Sequence, residues 1–210
     1  MSQAILTSSH HPRETISRFP VFVFWIALQI IALVVARCDV QLTANPAHLT
    51  RQWSAEILLL AQIGVSSLLF YDLLGSLRAS VLAFALAFPL TQISAAGEGW
   101  AASLRCSIIL LLWLAGLAAW RAALPMPRLL TAALSFWTWG SVILWYLVAE
   151  VSISAPLTRV LSYSSPLLVA LRRDEAFAFC FFAIFAGAGL IALGISRRAC
   201  RRPDALHVRP

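Results

Sequence analysis

Lysine is missing from this chain altogether; all 16 basic residues are arginine. Histidine is scarce, and His10, His11, His48 and His207 all lie outside the apolar runs. That excludes bis-histidine haem ligation within a membrane and a histidine-based intramembrane metal site. The four cysteines, Cys38, Cys106, Cys180 and Cys200, form no CxxC pair, so zinc and thioredoxin-like patterns are absent. Charge is low, at 12% of residues against about 25% in soluble domains. There is no Gly-rich phosphate loop, so the chain does not itself hydrolyse ATP. Neither a GxSG-like serine nor an HExxH pair occurs. The chain is read as a non-enzyme with no cofactor; carboxylate-based lipid chemistry is the one enzymatic alternative.

What fills the space is apolar. The chain is 60% hydrophobic, with mean hydropathy +0.83. Six runs stand out: Phe19 to Ala36, Ala55 to Leu74, Ala79 to Ala95, Ser103 to about Ala123, Leu129 to Ala149, and Ala176 to Ser196. Each has about 17–21 residues, matching a ~30 Å hydrocarbon core at ~1.5 Å per residue. Only closed hydrogen-bonding structures survive in lipid, and runs this long are helices. The expected fold is all-α, a single polytopic bundle of six transmembrane helices over residues 1–210, with a basic cytoplasmic tail from 197 to 210.

Arginine placement sets the expected orientation. With a cytoplasmic N-terminus, ten arginines face three acids on the cytoplasmic side, and six face six on the outer side. The whole +7 excess then lies inside, and both termini are cytoplasmic. The tail Arg197-Arg198-Ala199-Cys200-Arg201-Arg202 is the strongest anchor, and its expected partner is anionic membrane lipid rather than nucleic acid. Arg13 and Arg18 before an apolar stretch resemble a signal peptide. The stretch exceeds the usual signal core, so the first helix is expected to stay uncleaved. No internal repeat is evident, which weakens an inverted-repeat transporter.

Intramembrane ionisable residues are functional candidates by default, yet helix centres here hold almost none. Asp72, Arg105, Glu56 and Glu150 sit near predicted ends and read as interfacial anchors. The uncharged polar residues are more suggestive. Gln29, Gln62, Ser66 and Gln92, with Thr91 and Ser94, are candidates for a polar pathway; interhelical hydrogen bonding is the alternative. Gln62 and Ser66 are four apart and share a helix face. In the sixth run, Ala183 with Gly187, and Ala188 with Ala192, are small-residue pairs suited to internal packing or a dimer seam. Phe136, Trp137, Trp139, Trp145 and Tyr146 cluster in the fifth run, for packing, lipid contact or substrate stacking. Trp53 and Trp100 suit an interfacial belt. Cys38 and Cys106 both fall near the outer surface, where an oxidising compartment permits a disulfide.

The stretch before the sixth run, "SYSSPLLVALRRDEAF", is too short to span and too apolar for a solvated loop. Leu157 to Leu161 forms one apolar turn; Pro166 opens a second, since proline is tolerated in a helix's first turn. This reads as two short interfacial or re-entrant helices forming a candidate outer lid, marked by Pro156, Pro166, Arg172 and Arg173.

The arrangement resembles the permease subunits of type-2 ATP-binding-cassette exporters, over about Leu129 to Arg202. These have six helices, cytoplasmic ends, and short helices entering the outer leaflet between the fifth and sixth spans. The "YSSPLLVAL" segment followed by a final helix ending "SRRACRR" carries the likeness. It implies a homodimer or heterodimer in the inner (cytoplasmic) membrane with a separate ATPase subunit. The implied ATPase-contact surface is Asp72, Arg78, Arg121 and Arg128, and the implied substrate is lipidic or amphiphilic. The link between the second and third runs is shorter than that family's. Two other readings stand: the substrate-binding subunit of an energy-coupling-factor vitamin importer, and an assembly or scaffold subunit of a membrane complex.

Overall fold

Leucine, alanine, valine and phenylalanine dominate each run, glycine or proline seldom interrupts them, and runs of about 17–21 apolar residues satisfy their backbone as helices. The computed structural model describes residues 19–42, 50–69, 77–95, 100–124, 127–150, 155–171 and 175–200. Among these no strand occurs. The elements are α1 (Phe19–Leu42), α2 (Thr50–Leu68), α3 (Leu77–Ala95) and α4 (Trp100–Ala123). Next, α5 runs through Pro127–Ser135, a π turn at Phe136–Gly140, and Ser141–Glu150. Then come α6 (Ala155–Ser164), α7 (Pro166–Ala170) and α8 (Glu175–Cys200).

Three helices are long and apolar enough to cross a membrane: Trp100–Ala123, Arg128–Glu150 and Glu175–Ala199. The described apolar parts of the others are shorter, Pro20–Val35, Ala55–Leu68 and Ala79–Ser94. Several helices overrun their apolar stretches. α1 continues to Leu42 rather than stopping at Ala36, and α2 starts at Thr50 rather than Ala55. Hydropathy marks where charge begins, whereas backbone hydrogen bonding carries on through Arg37 or Arg51. Pro89 lies inside α3, where it removes one i→i−4 bond.

The bundle is built around α4. It packs along α8 and also touches α2 and α3, while α1 closes over α2 and α3. Trp113 of α4 is fully buried. Its ring stacks on Phe185 at 4.9 Å and meets Phe182 edge-on at 6.0 Å. Two glycines let α4 and α8 approach. A Cβ on Gly116 would lie 2.6 Å from the Phe185 ring, and one on Gly189 would lie 3.1 Å from the Gly116 carbonyl oxygen.

The segment between α5 and α8 folds back into the bundle. α6 packs against the Ser141–Glu150 part of α5. At its far end the Trp137 indole N–H donates to the Ser164 carbonyl at 2.9 Å. Trp137 precedes Glu150 by 13 residues, or about 20 Å along a helix. The bend between α6 and α7 thus reaches the level of the π turn. α7 then returns, with Pro166, Leu167, Val169 and Ala170 buried, against α2, the π turn and α8. Arg105 donates to the Ala170 carbonyl at 3.4 Å and faces Glu175 at 3.8 Å, which ties the returning helix α7 to α4 and α8.

Candidate functional site

Polar side chains buried in an apolar bundle must find one another. Gln29 of α1, Gln62 of α2 and Thr91 of α3 do so, all with at most 2% exposure. The Gln62 amide donates to Gln29 Oε1 at 2.9 Å and to Thr91 Oγ1 at 3.0 Å. Thr91 donates to the Ala87 carbonyl at 3.1 Å, and Gln29 to the Trp25 carbonyl at 3.3 Å. One amide therefore staples three helices.

The other pathway candidates go to different seams. Gln92 joins α3 to α4: its amide donates to Ser107 at 3.0 Å, and its carbonyl accepts from Ser103. Ser66 accepts from the Trp113 indole at 2.9 Å and donates to the Ile63 carbonyl at 3.0 Å. Gln62 and Ser66 thus share a face of α2 but hold different partners. Removing the staple has a calculable effect. Gln62→Leu is expected to lower bundle stability by about 1–3 kcal/mol, because Gln29 Oε1 is left buried without its donor. Detergent unfolding followed by circular dichroism measures this. A double-mutant cycle with Thr91→Val is expected to return a coupling of about 0.6 kcal/mol.

The second polar focus is where the hairpin bend meets the π turn. Ser165 is extended, with φ −80° and ψ 122°. Its N–H donates to the Leu161 carbonyl at 3.0 Å, and its carbonyl accepts from Val169 at 2.9 Å. The backbone is satisfied, but the buried Ser165 hydroxyl has no hydrogen-bond partner among the described residues. The π turn misaligns helical carbonyls, and hydroxyls take them up. Thr138 donates to the Leu134 carbonyl at 2.6 Å, and Ser141 to the Trp137 carbonyl. Across from it Trp139 lies over Gly64, where there is no room for a Cβ, and its indole donates to the Gly64 carbonyl at 3.2 Å.

A third feature is a groove of about 610 Å³ between the start of α3 and the ends of α4 and α8. Its walls are mostly apolar, and Arg121, Arg197 and Ser80 stand on it. None of Gln29, Gln62, Ser66 or Gln92 lines it.

No protein-family model, curated protein or solved structure matches the chain.

The remaining candidates are distributed as follows. Arg128 is exposed at the start of α5, and Arg121 is half-buried. Arg78 belongs to the first turn of α3, with its side chain outside the described residues; Asp72 is outside them altogether. Pro156 is exposed at the start of α6 and Pro166 is buried, while Arg172 and Arg173 lie outside the described residues. On α8, Gly189 and Ala186 meet α4, whereas Ala183 is exposed and a Cβ on Gly187 would meet nothing within 4 Å. Ala188 and Ala192 are half-buried. Cys106 is a buried thiol, and the side chain of Cys38 lies outside the described residues. Among the described residues no group of three or more His, Cys, Asp or Glu is placed to hold a metal.

Three features leave no trace in hydropathy: the π turn, the depth of the hairpin bend, and the central packing role of Trp113. Trp113 sits in an unbroken apolar run, where nothing separates it from a lipid-facing tryptophan. The Gln92 seam carries a partial signal, since Ser103 and Ser107 are four apart on the next helix and share one face.

Proposed function

We propose that this chain is the membrane-embedded permease subunit of an ATP-driven transporter. It exports a lipidic or amphiphilic substrate and works with a separate ATPase subunit. On this reading the six long helices are six spans of the inner membrane, with both ends cytoplasmic. The re-entrant hairpin α6–α7, set between the fifth and sixth spans, carries the proposal. On this reading α6 enters from the outer side, and its ten residues at ~1.5 Å each carry the bend about 15 Å from its start. Broken helix at that depth is stable only when protein surrounds it, and α2, α5 and α8 do surround it. An element of this kind costs a simple bundle extra constraints. It is useful where a path through the outer leaflet must be shaped and moved. Because α7 touches α2, the π turn and α8 together, a rocking of α5 against α8 shifts the bend.

Co-purification from the native membrane tests the proposal. A stoichiometric ATPase partner is the expected result, and its absence sinks the reading. The hairpin geometry has its own test. Cysteine at Ser164 or Ser165 is expected to resist a membrane-impermeant maleimide from either side, whereas cysteine at the exposed Pro156 reacts from the outer side. Rapid outer labelling at Ser164 would place the bend at the surface.

A second reading, a non-transport assembly subunit, is favoured by one observation. Gln29, Gln62 and Thr91 spend their hydrogen bonds on each other, which is how a static bundle is pinned. A stable native complex lacking any ATPase would favour it.

A further inference from the structure

We propose that the groove between α3, α4 and α8 is a binding site for an anionic phospholipid, its headgroup held by Arg121 and Arg197. Three observations carry this. First, the groove holds about 610 Å³, inside the range of about 300–1,000 Å³ for small-molecule sites. Second, its long walls are hydrocarbon: Val81 and Phe84 from α3, Leu111 and Leu114 from α4, Leu190 and Leu193 from α8. Val81, Leu111 and Leu190 are exposed, so the walls are open for an acyl chain lying lengthwise. Third, among the described lining residues charge occurs only near one end. Arg121 comes from the last turn of α4 and Arg197 from the last turn of α8. Ser80, from the first turn of α3, adds a hydroxyl, and among the described residues no carboxylate lines the groove.

The order along the helices fixes the polarity of the ligand. Leu111 and Leu114 precede Arg121 by two to three turns, and Leu190 and Leu193 precede Arg197 by one to two. A molecule that fits must carry an anionic head on a hydrocarbon tail. A guanidinium pair is suited to a phosphodiester, which it can meet with paired N–H donors. Basic pockets between transmembrane helices on the cytoplasmic side are known to hold such heads, and the inference rests on the orientation proposed above, in which this end of the bundle lies on that side.

The test uses the full-length protein in phosphatidylcholine vesicles with spin-labelled phosphatidylglycerol or spin-labelled phosphatidylcholine. Phosphatidylglycerol is expected to associate more strongly. Arg121→Gln and Arg197→Gln should each weaken that preference about fivefold, and the pair about thirtyfold, at one near-surface arginine interaction apiece. Arg198→Gln, exposed and off the groove, should change nothing. Ala118→Trp, which fills the apolar wall, should reduce the immobilised fraction of both labels. Arg121→Lys and thermal unfolding of each variant separate loss of binding from loss of fold. Equal affinity for the two lipids overturns the proposal. So does an Arg198→Gln effect as large as that of Arg197→Gln, which would mean diffuse surface attraction. Full displacement by inorganic phosphate would mean a free-anion site, and a second copy cross-linked across the groove would mean an interface; either also overturns it.

Discussion

Trp113→Ala is expected to lower the stability of the bundle by about 3 kcal/mol, the lower end of the range for truncating buried aromatics. Trp113 is fully buried. It stacks on Phe185, meets Phe182 edge-on and lies 6.5 Å from Trp137. Aromatic pairs of this geometry add about 0.5–1.5 kcal/mol each beyond area. The lower end applies because lipid tails are as apolar as leucine, so the hydrophobic driving force between helices is weak. What Trp113 supplies is packing: removing it leaves a cavity whose walls have lost their contacts. The indole N–H matters separately, since it donates to Ser66 at 2.9 Å. Trp113→Phe keeps much of the volume and deletes the donor, so it should cost only about 1 kcal/mol. Detergent unfolding of both variants checks this. A loss below about 1 kcal/mol for the alanine variant would mean that the aromatic cluster is not the core.

Trp113 also shows how far the sequence reaches. Its position in an apolar run of α4 was legible; its role was not. Hydropathy is a property of a residue's own side chain, and it is the same for a tryptophan against lipid as for one against Phe185. Partnership depends on helix rotation, which only the packed bundle fixes. The same limit applies to the glutamines. Gln29, Gln62 and Gln92 are conspicuous because polar groups are expensive in an apolar run. Their expense says that each has a partner, not which one. Gln62 turns to α1 and α3, Gln92 to α4. The hairpin was more legible. Pro166, the shortness of the apolar turns and the charges after Leu171 exclude a full span from sequence alone. The depth of the bend came from the Trp137–Ser164 bond, which joins residues 27 apart and has no local signature. The arginine pair on the groove was hidden for the same reason: Arg121 and Arg197 are 76 positions apart in the chain.

Gly116→Leu should split the α4–α8 seam and cost about 3 kcal/mol or more, whereas Gly187→Leu should leave stability unchanged within about 0.5 kcal/mol. Both glycines lie in apolar helices, and helix propensity favours replacing each by up to about 1 kcal/mol. Their surroundings decide the sign. A Cβ on Gly116 would sit 2.6 Å from Phe185 Cδ1 and 3.2 Å from the Ala186 Cα. The ring can swing aside, but the backbone of α8 cannot move without opening the Gly189 contact, where a Cβ would already be 3.1 Å from the Gly116 carbonyl. A leucine therefore has to push the two helices apart along their length. At Gly187 a Cβ would meet nothing within 4 Å. The contrast also separates two uses of the small residues of α8. If Ala183 and Gly187 form a seam with a second copy, Gly187→Leu will leave the monomer's unfolding midpoint in place and convert a dimer to a monomer by native mass. If they face lipid, mass and midpoint will both stay as they are. Gly116→Leu should in either case also weaken phosphatidylglycerol association, because Ala119 and Leu190 face the groove across the same seam. A Gly116→Leu protein of unaltered midpoint would mean that α4 and α8 are not held by close backbone approach.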